Sequence, residues 1–367
     1  MGEGAIRVLE LAGSPAAIGK AHGSAYAHDI RRYAEERIGL VAGGSWSGGP
    51  LSRDRVLEIA SSCLPHHLAF SPELTEEMVA IGASAGLSAA EMIIVGGFTD
   101  FVDTVRGVVG GPTPPEVLED DCTAFIVPSS RAADGQGLYG QTWDMHDTAT
   151  EFVVLTDVRP DDRPRAMVFT TTGCVGQIGM NEAGVTVGIN NLTGVDGRPG
   201  VTWPLVVRRA LEQETAADAM NVIRNAPVAG AHSYLVLDAQ GNGGIVEKTP
   251  TTSAVAPLGG DPLVHTNHML DPSTQGVEAE RPAELVASST ARHQRAEELL
   301  EGSGVTEEGL MALTRDDDAI CQISSAPFHI ESCGAAIMRP ATLDFWAVWG
   351  LPKDNVYEHF SLAESSR

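Results

Sequence analysis

The stretch DCTAFIVPSSRAADGQGLYGQTWDMH, residues 121–146, decides how the rest of the chain is interpreted. Two β-rich runs, CTAFIVPS and LYGQTWDM, flank a turn-rich segment and together predict a β-hairpin. Such a hairpin would return Asp144 to the side of Cys122, at the start of the first strand. Three acids, Glu119, Asp120 and Asp121, precede the cysteine, and neighbouring carboxylates disfavour the thiolate, which is the nucleophilic form of cysteine. Cys122 is therefore either an inert core residue or is activated by something other than its flanking sequence.

The first third of the chain, before this stretch, predicts mainly helices after a short strand at residues 6–13. The predicted helices extend over residues 15–41, 53–70 and 72–88. Each begins after a serine at the N-cap position, and these serines are Ser14, Ser52 and Ser71. The segment VVGGPTPPEVLEDD, residues 108–121, is rich in glycine and proline and predicts an exposed, mobile linker.

After the hairpin, short β-rich runs alternate in groups with pairs of helices, and residues 321–325 (CQISS) open the last group of predicted strands. Groups of strands and groups of helices, rather than strict alternation, predict antiparallel sheets with segregated helices. The fold class is therefore expected to be α+β.

Composition excludes several classes of function. The chain has 367 residues, 43% of them hydrophobic and 20% charged, which suits one large or two medium globular domains. A net charge of −25 argues against nucleic acid and anionic membranes as partners, because both require Lys/Arg patches. No secretory signal or membrane-spanning stretch is evident, so a cytoplasmic location is expected.

The cysteines and histidines do not form a pattern typical of metal or disulfide sites. The five cysteines are widely spaced and include no CxxC pair: Cys63, Cys122, Cys174, Cys321 and Cys333. The histidine pairs in HTNH and LPHHLAF have no third ligand at a useful spacing. Neither a metal nor a cofactor is expected.

Cleavage of the chain just before Cys122 would explain the position of the thiol. Cys122 would then carry a free α-amine, whose pKa of about 7.7–8 suits a general base at neutral pH. Thiol and amine would form a nucleophile–base pair within one residue. Asp144 could hold the new amine, Asn190 and Asn267 could donate to an oxyanion, and Arg292 could orient the site or bind a substrate carboxylate.

Five motifs in order resemble one known family: DCTAF…GQTWDMH, GMNEAGVTVGIN, DAQGNGGIVEKTP, HTNH and SSTARHQRAEELL. They are similar to those of the acyl-coenzyme A:6-aminopenicillanic acid acyltransferase family, a branch of the N-terminal-nucleophile (Ntn) hydrolases related to bile salt hydrolases. The resemblance implies a four-layer αββα sandwich made as a precursor that cleaves itself. Residues 1–121 would be a mostly helical segment and residues 122–367 the catalytic part, and the two would stay associated as one domain.

The same resemblance implies a role for each candidate residue. Cys122 is the nucleophile of both cleavage and acyl transfer, and Asp144 contacts its amine. Asn267 is the side-chain donor to the oxyanion, Asn190 lends a backbone N–H, and Arg292 is the helix arginine near the site.

Two positions depart from the family pattern. Asp121 stands where relatives commonly have glycine, and a side chain there opposes the strained conformation that cleavage requires. Thr142 stands where relatives often have asparagine, in contact with substrate.

The expected function is hydrolysis or transfer of the acyl group of a small N-acyl amine or peptide-like amide, through a Cys122 thioester. Acyl-coenzyme A would enter only as a substrate. Two alternatives remain open. One is a Cys–His hydrolase that needs no cleavage and pairs Cys122 with His232 or His268, and the other is a binding protein that keeps the fold without chemistry.

Overall fold

The computed structural model describes residues 4–44, 49–110 and 121–363. Within these ranges the chain forms fourteen β-strands, twelve α-helices and one 3-10 helix. The strands are β1 (Val8–Gly13), β2 (Asp121–Val127), β3 (Leu138–His146), β4 (Val153–Pro160), β5 (Ala166–Thr171), β6 (Ile178–Asn181), β7 (Thr186–Leu192), β8 (Ala231–Leu237), β9 (Gly243–Lys248), β10 (Ser253–Pro257), β11 (Leu263–His265), β12 (Ile330–Arg339), β13 (Asp344–Trp349) and β14 (Glu358–Ser361). The helices are α1 (Pro15–Ala25), α2 (Ala27–Gly43), α3 (Arg53–Ser61), α4 (Leu64–Phe70), α5 (Pro72–Ala85), α6 (Ala89–Gly96), α7 (Phe98–Val109), α8 (Trp203–Ala210), α9 (Ala216–Asn225), α10 (Pro272–Gln275), α11 (Ala283–Leu299) and α12 (Glu307–Thr314), and the 3-10 helix spans Asp147–Phe152.

The strands form two sheets. The larger has eight strands in the order β1-β4-β5-β6-β7-β8-β9-β10, and the smaller has six in the order β11-β2-β3-β12-β13-β14. Strand β1 runs parallel to β4, and the pairings of the remaining strands are antiparallel. The turn between β6 and β7 shows how the sequence makes these reversals. There the Asn181 side chain accepts hydrogen bonds from the Ala183 and Val185 amides, and Gly184 adopts a φ of 78°.

The two sheets pack face to face, with β2 against β7 and β8. Helices α8 and α9 cover the outer face of the larger sheet, and α11 and α12 cover the outer face of the smaller one. The layer order is helix, sheet, sheet, helix. The predicted α+β class and the four-layer αββα arrangement are therefore confirmed.

Strand β2 is anchored on both of its faces, because successive side chains in a strand point in opposite directions. Cys122, Ala124 and Ile126 belong to the core that includes the inner faces of the sheets, whereas Phe125 and Val127 pack beneath α11 and α12. Each fully buried large apolar side chain stabilises the fold by about 1.5–3 kcal/mol. The strand that carries Cys122 is thus held firmly in register.

The helices before Cys122 share a core with the strands that follow it. Ile30 of α2 and Ile93 of α6 lie in the same apolar cluster as Phe169 of β5. Buried polar contacts join the same two parts, and the Glu77 carboxylate of α5 lies 3.1 Å from the Arg208 guanidinium of α8. These contacts agree with one folding unit, while the division of the chain after residue 121 stays a prediction.

The serine caps are confirmed, but two predicted helices are interrupted. The side chains of Ser14, Ser52 and Ser71 each accept a hydrogen bond from a first-turn amide. The first predicted helix divides at Tyr26, because α1 packs on α5 whereas α2 packs on α6 and the chain must change direction between them. The second likewise divides into α3 and α4.

The prediction of a strand at residues 321–325 is wrong. The segment is irregular, and its contact with β12 consists of the Ser332 amide donating to the Gln322 carbonyl and the Gln322 amide donating to the Ser332 hydroxyl. A side-chain oxygen thus takes the place of a backbone partner, and no ladder forms. Of the predicted linker at residues 108–121, residues 111–120 lie outside the described part of the chain, and Val108 and Val109 end α7.

Within the described ranges, no single helix is long and apolar enough to cross a bilayer. Helices α5 and α6 meet the length and hydropathy criterion only when taken together, across a bend of 106°.

Candidate active site

Cys122 lies at the beginning of β2, where the predicted hairpin is confirmed. Asp121 pairs with Asp144 and Cys122 pairs with Trp143 on the neighbouring strand β3. The cysteine is only 2% exposed, and its Sγ lies 4.0 Å from the Asp144 carbonyl oxygen. By alternation its side chain points between the two sheets.

Side chains from distant parts of the sequence hold the main chain of Cys122. Its N–H donates to Asn267 Oδ1 at 2.8 Å, and its carbonyl accepts from Arg292 Nη1 at 2.6 Å. The same guanidinium donates to Thr123 Oγ1 at 3.1 Å and, through Nη2, to Asn267 Oδ1 at 3.0 Å. Arg292, on α11, is 1% exposed. One planar cation therefore fixes both sides of the Cys122 backbone, a task that suits the fork of donors on arginine.

Asn267 connects β2 to the larger sheet. It follows β11, is 1% exposed, and donates through Nδ2 to the Asn191 carbonyl of β7 at 3.1 Å. Its own amide donates to Ser289 Oγ on α11 at 2.9 Å. The partners determine which side-chain atom is oxygen, because Oδ1 faces two donors and Nδ2 faces a carbonyl. The amide plane is thus fixed beside Cys122.

Asp144 is fully buried and lies on the opposite face of the smaller sheet from the Cys122 side chain. Its carboxylate accepts hydrogen bonds from Ser332 Oγ at 2.6 Å and from Thr142 Oγ1 at 3.2 Å. The Thr142 hydroxyl also accepts from the Thr123 amide at 3.2 Å. A hydroxyl can donate and accept at once, so Thr142 links β2 to the Asp144 carboxylate. The described contacts of Thr142 are therefore structural.

Asn190 faces the space between the sheets. Two residues before it on the same face, Gly188 approaches the smaller sheet so closely that an added Cβ would lie 1.8 Å from the Tyr139 hydroxyl. Asn190 is fully buried, and within the described ranges its side-chain oxygen and nitrogen have no hydrogen-bond partner. The hydroxyl of Ser233, directly opposite on β8, also has none there. An unsatisfied buried polar group costs about 1–3 kcal/mol, so two such side chains side by side need an explanation, and a catalytic role is one.

The histidines of the Cys–His alternative have other partners. The His232 ring lies on the helix-facing side of β8, where Nε2 contacts Thr99 Oγ1 at 3.2 Å and Nδ1 lies 3.1 Å from an Asp100 carboxylate oxygen. His268 Nδ1 lies 2.8 Å from Ser289 Oγ. Burial and nearby cationic groups lower the pKa of His268 to about 4. Neither ring has Cys122 among its described contacts.

The other four cysteines are buried. Burial raises the pKa of the Cys63, Cys174 and Cys333 thiols, and it raises the pKa of Cys321 to about 11. These environments disfavour the thiolate, as in packed core residues. Within the described ranges no group of three or more His, Cys, Asp or Glu side chains could hold a metal ion.

Sequence reasoning missed the serines that support the site. Ser289 lies three residues before Arg292 on α11, a spacing that places both on one helix face and could have revealed it. Ser332 contacts Asp144 through the pairing of β12 with β3, across 188 positions. No local pattern signals a partner at that separation.

Comparison with known proteins gives matches along most of the chain. Residues 130–352 match the family described as acyl-coenzyme A:6-aminopenicillanic acid acyl-transferase. A similar protein is the 40 kDa form of acyl-coenzyme A:6-aminopenicillanic-acid-acyltransferase from Emericella nidulans. It is 27% identical over 312 residues, which cover 83% of this chain and 80% of that protein.

Solved structures also match. A mutant of the conjugated bile acid hydrolase from Clostridium perfringens gives a TM-score of 0.46 at 10% identity, covering 67% of this chain and 93% of that one. Penicillin V acylase from Agrobacterium tumefaciens gives a TM-score of 0.42 at 11% identity, covering 66% and 86%. Of these similarities, those in sequence are strong enough to assign a family.

Proposed function

The chain belongs to the acyl-coenzyme A:6-aminopenicillanic acid acyl-transferase family, and from that membership we propose that it is a self-cleaving Ntn enzyme with Cys122 as its nucleophile. Its class, an amide hydrolase or acyltransferase, follows from the family. The proposal adds that the Asp121–Cys122 bond is cut and that the Cys122 sulfur then carries an acyl group as a thioester.

The observation that carries the proposal is the environment of the Cys122 main-chain nitrogen. That atom donates to Asn267 Oδ1 at 2.8 Å, and the same oxygen is bound by Arg292. Any buried backbone N–H needs a partner, but here the partner is the side chain of a buried asparagine whose oxygen is also held by a buried arginine. Such an arrangement suits a nitrogen that cleavage would turn into a catalytic amine. The linked pair of buried side chains, Asn267 on the nitrogen and Arg292 on the carbonyl, therefore favours a functional role for Cys122.

Cleavage is a rearrangement followed by hydrolysis. The Cys122 sulfur attacks the carbonyl carbon of Asp121, a C–S bond forms, and the C–N bond to Cys122 breaks while the nitrogen takes up the thiol proton. Water then hydrolyses this thioester. The products are a carboxylate on Asp121 and a free α-amine on Cys122, which is the general base of the later reaction.

Turnover uses the same sulfur on a small N-acyl amine or peptide-like amide. The Cys122 amine accepts the thiol proton, the sulfur attacks the amide carbonyl, and Asn267 Nδ2 with the Asn190 backbone stabilises the oxyanion. The leaving amine takes the proton, and the thioester passes to water or to an acceptor amine. The Emericella nidulans relative is named for acyl transfer with coenzyme A, which supports a thioester as one acyl source, but we favour hydrolysis because water needs no acceptor site.

The test is an intact mass spectrum of freshly purified protein beside two variants, Cys122→Ala and Cys63→Ala. We expect two chains of about one third and two thirds of 38.5 kDa from wild type and from the Cys63→Ala control, with the larger chain beginning at Cys122. The Cys122→Ala variant should give one uncut mass.

An uncut wild-type chain would overturn the proposal. If that uncut chain hydrolysed amides and lost activity on His268→Ala or His232→Ala, the Cys–His mechanism would replace it. If it bound amides without turnover, the chain would be a binding protein.

A further inference from the structure

Glu247 is a buried carboxylate with no part in the chemistry described above. It lies on β9 of the larger sheet and is 4% exposed. The hydrogen-bond partners described for its carboxylate lie within residues 265–274, which contain Asn267 and are called here the Asn267 segment.

Four donors of the Asn267 segment converge on this one carboxylate. Oε1 accepts from His265 Nε2 at 2.8 Å and from the Leu270 amide at 2.7 Å. Oε2 accepts from the Asp271 amide at 3.3 Å and from the Thr274 hydroxyl. Burial opposes ionisation of Glu247, but the hydrogen bonds from His265 and Thr274 outweigh it, and the pKa of the carboxyl lies below its usual range. The group is therefore an anion at neutral pH.

The donors lie on both sides of Asn267. His265 precedes it by two residues and pairs with Ala124 of the nucleophile strand, and Leu270 follows it by three. Because both flanks are tied to the same carboxylate, the peptide between them has little freedom to shift along β2. The segment also bridges the two sheets, since Glu247 belongs to one and β11 to the other.

We propose that Glu247 is a positioning residue that fixes the side chain of Asn267 against Cys122. It does so by accepting hydrogen bonds from the Asn267 segment on both sides of Asn267. The inference rests on the proposed function, in which Asn267 stabilises the oxyanion. Glu247 does not touch the reacting atoms and acts through the segment it holds.

Accepting these four hydrogen bonds requires both the charge and the shape of the carboxylate. A carboxylate accepts from about four directions, whereas the amide of glutamine accepts through one oxygen and presents two N–H bonds on the other side. In a Glu247→Gln variant one pair of donors would face another donor. The Asn267 segment would shift while the volume of the side chain stayed the same.

The experiment compares Glu247→Gln with Glu77→Gln, a matched change of a buried carboxylate whose partner is Arg208. Both variants should lose thermal stability. Only Glu247→Gln should lower kcat, by roughly 10- to 100-fold, because small displacements of a catalytic group have effects of that size. KM for the amide substrate should stay within about twofold, since the proposed role of Glu247 is exerted on Asn267 and not on the substrate.

A second pair of variants keeps the proposal testable if Glu247→Gln does not fold. Thr274→Val removes one of the four donors, whereas Thr274→Ser retains the hydroxyl. We expect Thr274→Val to lower kcat and to speed hydrogen exchange of the amides in the Asn267 segment, and Thr274→Ser to resemble wild type in both.

The outcomes separate this inference from the proposed function. An active, cleaved wild type whose Glu247→Gln and Thr274→Val variants keep kcat would overturn the positioning role alone. Equal losses of kcat in Glu77→Gln and Glu247→Gln would also overturn it, because general destabilisation would then be sufficient. A wild-type chain that neither cleaves nor forms an acyl-enzyme would overturn the proposed function, whatever the exchange data show.

Discussion

At the scale of single residues, the side-chain oxygen of Asn267 has an unusual pair of partners: the Cys122 amide and the Arg292 guanidinium. Hydrogen bonds that involve a charged group are about twice as strong as neutral ones. Arg292 therefore polarises the Asn267 amide, and a polarised amide has a more positive N–H end. The arginine would thus strengthen the group that is proposed to bind the oxyanion.

Replacing Arg292 by lysine should slow self-cleavage although the charge is retained. A lysine ammonium is a compact point charge and cannot bind Cys122 O, Thr123 Oγ1 and Asn267 Oδ1 together in the geometry of the guanidinium. We expect the rate to fall by roughly 10- to 100-fold, the equivalent of losing one hydrogen bond to a charged group. A time course of intact masses after synthesis measures it.

The matched control is Arg295→Lys on the same helix. Arg295 is partly exposed and pairs with Asp316 at 2.6 Å, away from Cys122. Its replacement should leave the cleavage rate unchanged. Equal cleavage rates for Arg292→Lys and wild type would show that the planar guanidinium of Arg292 is not needed for cleavage.

Thr142→Val should destabilise the protein, whereas Thr142→Ser should not. Valine has the same shape but leaves the Thr123 amide and one Asp144 oxygen without the hydroxyl that joins them. Leaving a buried donor unsatisfied costs about 1–3 kcal/mol. Urea unfolding of both variants in the uncleaved Cys122→Ala background measures the difference, and equal stabilities would contradict the linking role of Thr142.

The candidate residues could be predicted from sequence because they lie in short motifs, but their contacts could not. The sequence predicts that Asp144 approaches Cys122 through a hairpin, and the strands do pair there. It does not predict that Ser332 holds the carboxylate, because that contact depends on a strand pairing across 188 positions.

At the scale of secondary structure, local sequence signals predicted where helices begin better than they predicted how long the helices are. Ser14, Ser52 and Ser71 cap helices because a cap is satisfied within one turn. The break at Tyr26 depends on which helices α1 and α2 pack against, and this information is absent from the helix itself. Strand β10 at the edge of the larger sheet was missed because its side chains are half or fully exposed and give no apolar alternation.

The approach of β7 to β3 gives a prediction about packing between the sheets. Gly188→Ala should destabilise the fold by about 1–3 kcal/mol, the usual cost of overpacking, because the new methyl group would overlap the Tyr139 hydroxyl. Gly39→Ala is the control, since nothing lies within 4 Å of an added Cβ in that helix. It should be neutral or stabilising by up to about 1 kcal/mol.

Thermal unfolding of both alanine variants measures this effect. Combining Gly188→Ala with Tyr139→Phe should restore part of the loss, because one of the two clashing oxygens is removed and only that of Gln141 remains. A Gly188→Ala protein as stable as wild type would mean that the two sheets can separate locally without cost.

At the scale of the whole molecule, buried histidines join the N-terminal helices to two connecting segments of the later chain, one after β5 and one before α8. His22 Nε2 accepts from the Gly173 amide at 3.0 Å, and His67 Nε2 contacts Thr202 Oγ1 at 2.9 Å. Burial lowers the pKa of both rings to about 4, with the charge of Arg208 adding to the effect at His22. Both rings are therefore neutral in the folded protein at pH 7.

Stability should fall as the pH drops from about 6.5 towards 4. The unfolded chain binds protons at the ordinary histidine pKa of about 6.5, whereas the folded chain does so only near pH 4, so the unfolded state gains protons first. The stability is fully present above pH 6.5, and each histidine should account for a loss of about 2 kcal/mol at pH 5.

Urea unfolding of the Cys122→Ala variant at pH 7 and pH 5 tests this expectation on one uncut chain. Adding His22→Gln and His67→Gln should flatten the pH dependence, whereas His28→Gln, at an exposed position, should leave it unchanged. An unaltered slope in the double histidine variant would assign the acid sensitivity to other groups.

The contact between Arg292 and Cys122 joins residues that are 170 positions apart. Asn267, the third member of that cluster, lies 145 positions beyond Cys122 and reaches it only after both sheets have come together. A chain that stalls or pairs its strands wrongly lacks this cluster. If cleavage of the bond before Cys122 requires this cluster, only correctly folded chains are cut. Misfolded copies would then remain inactive without the action of any other protein.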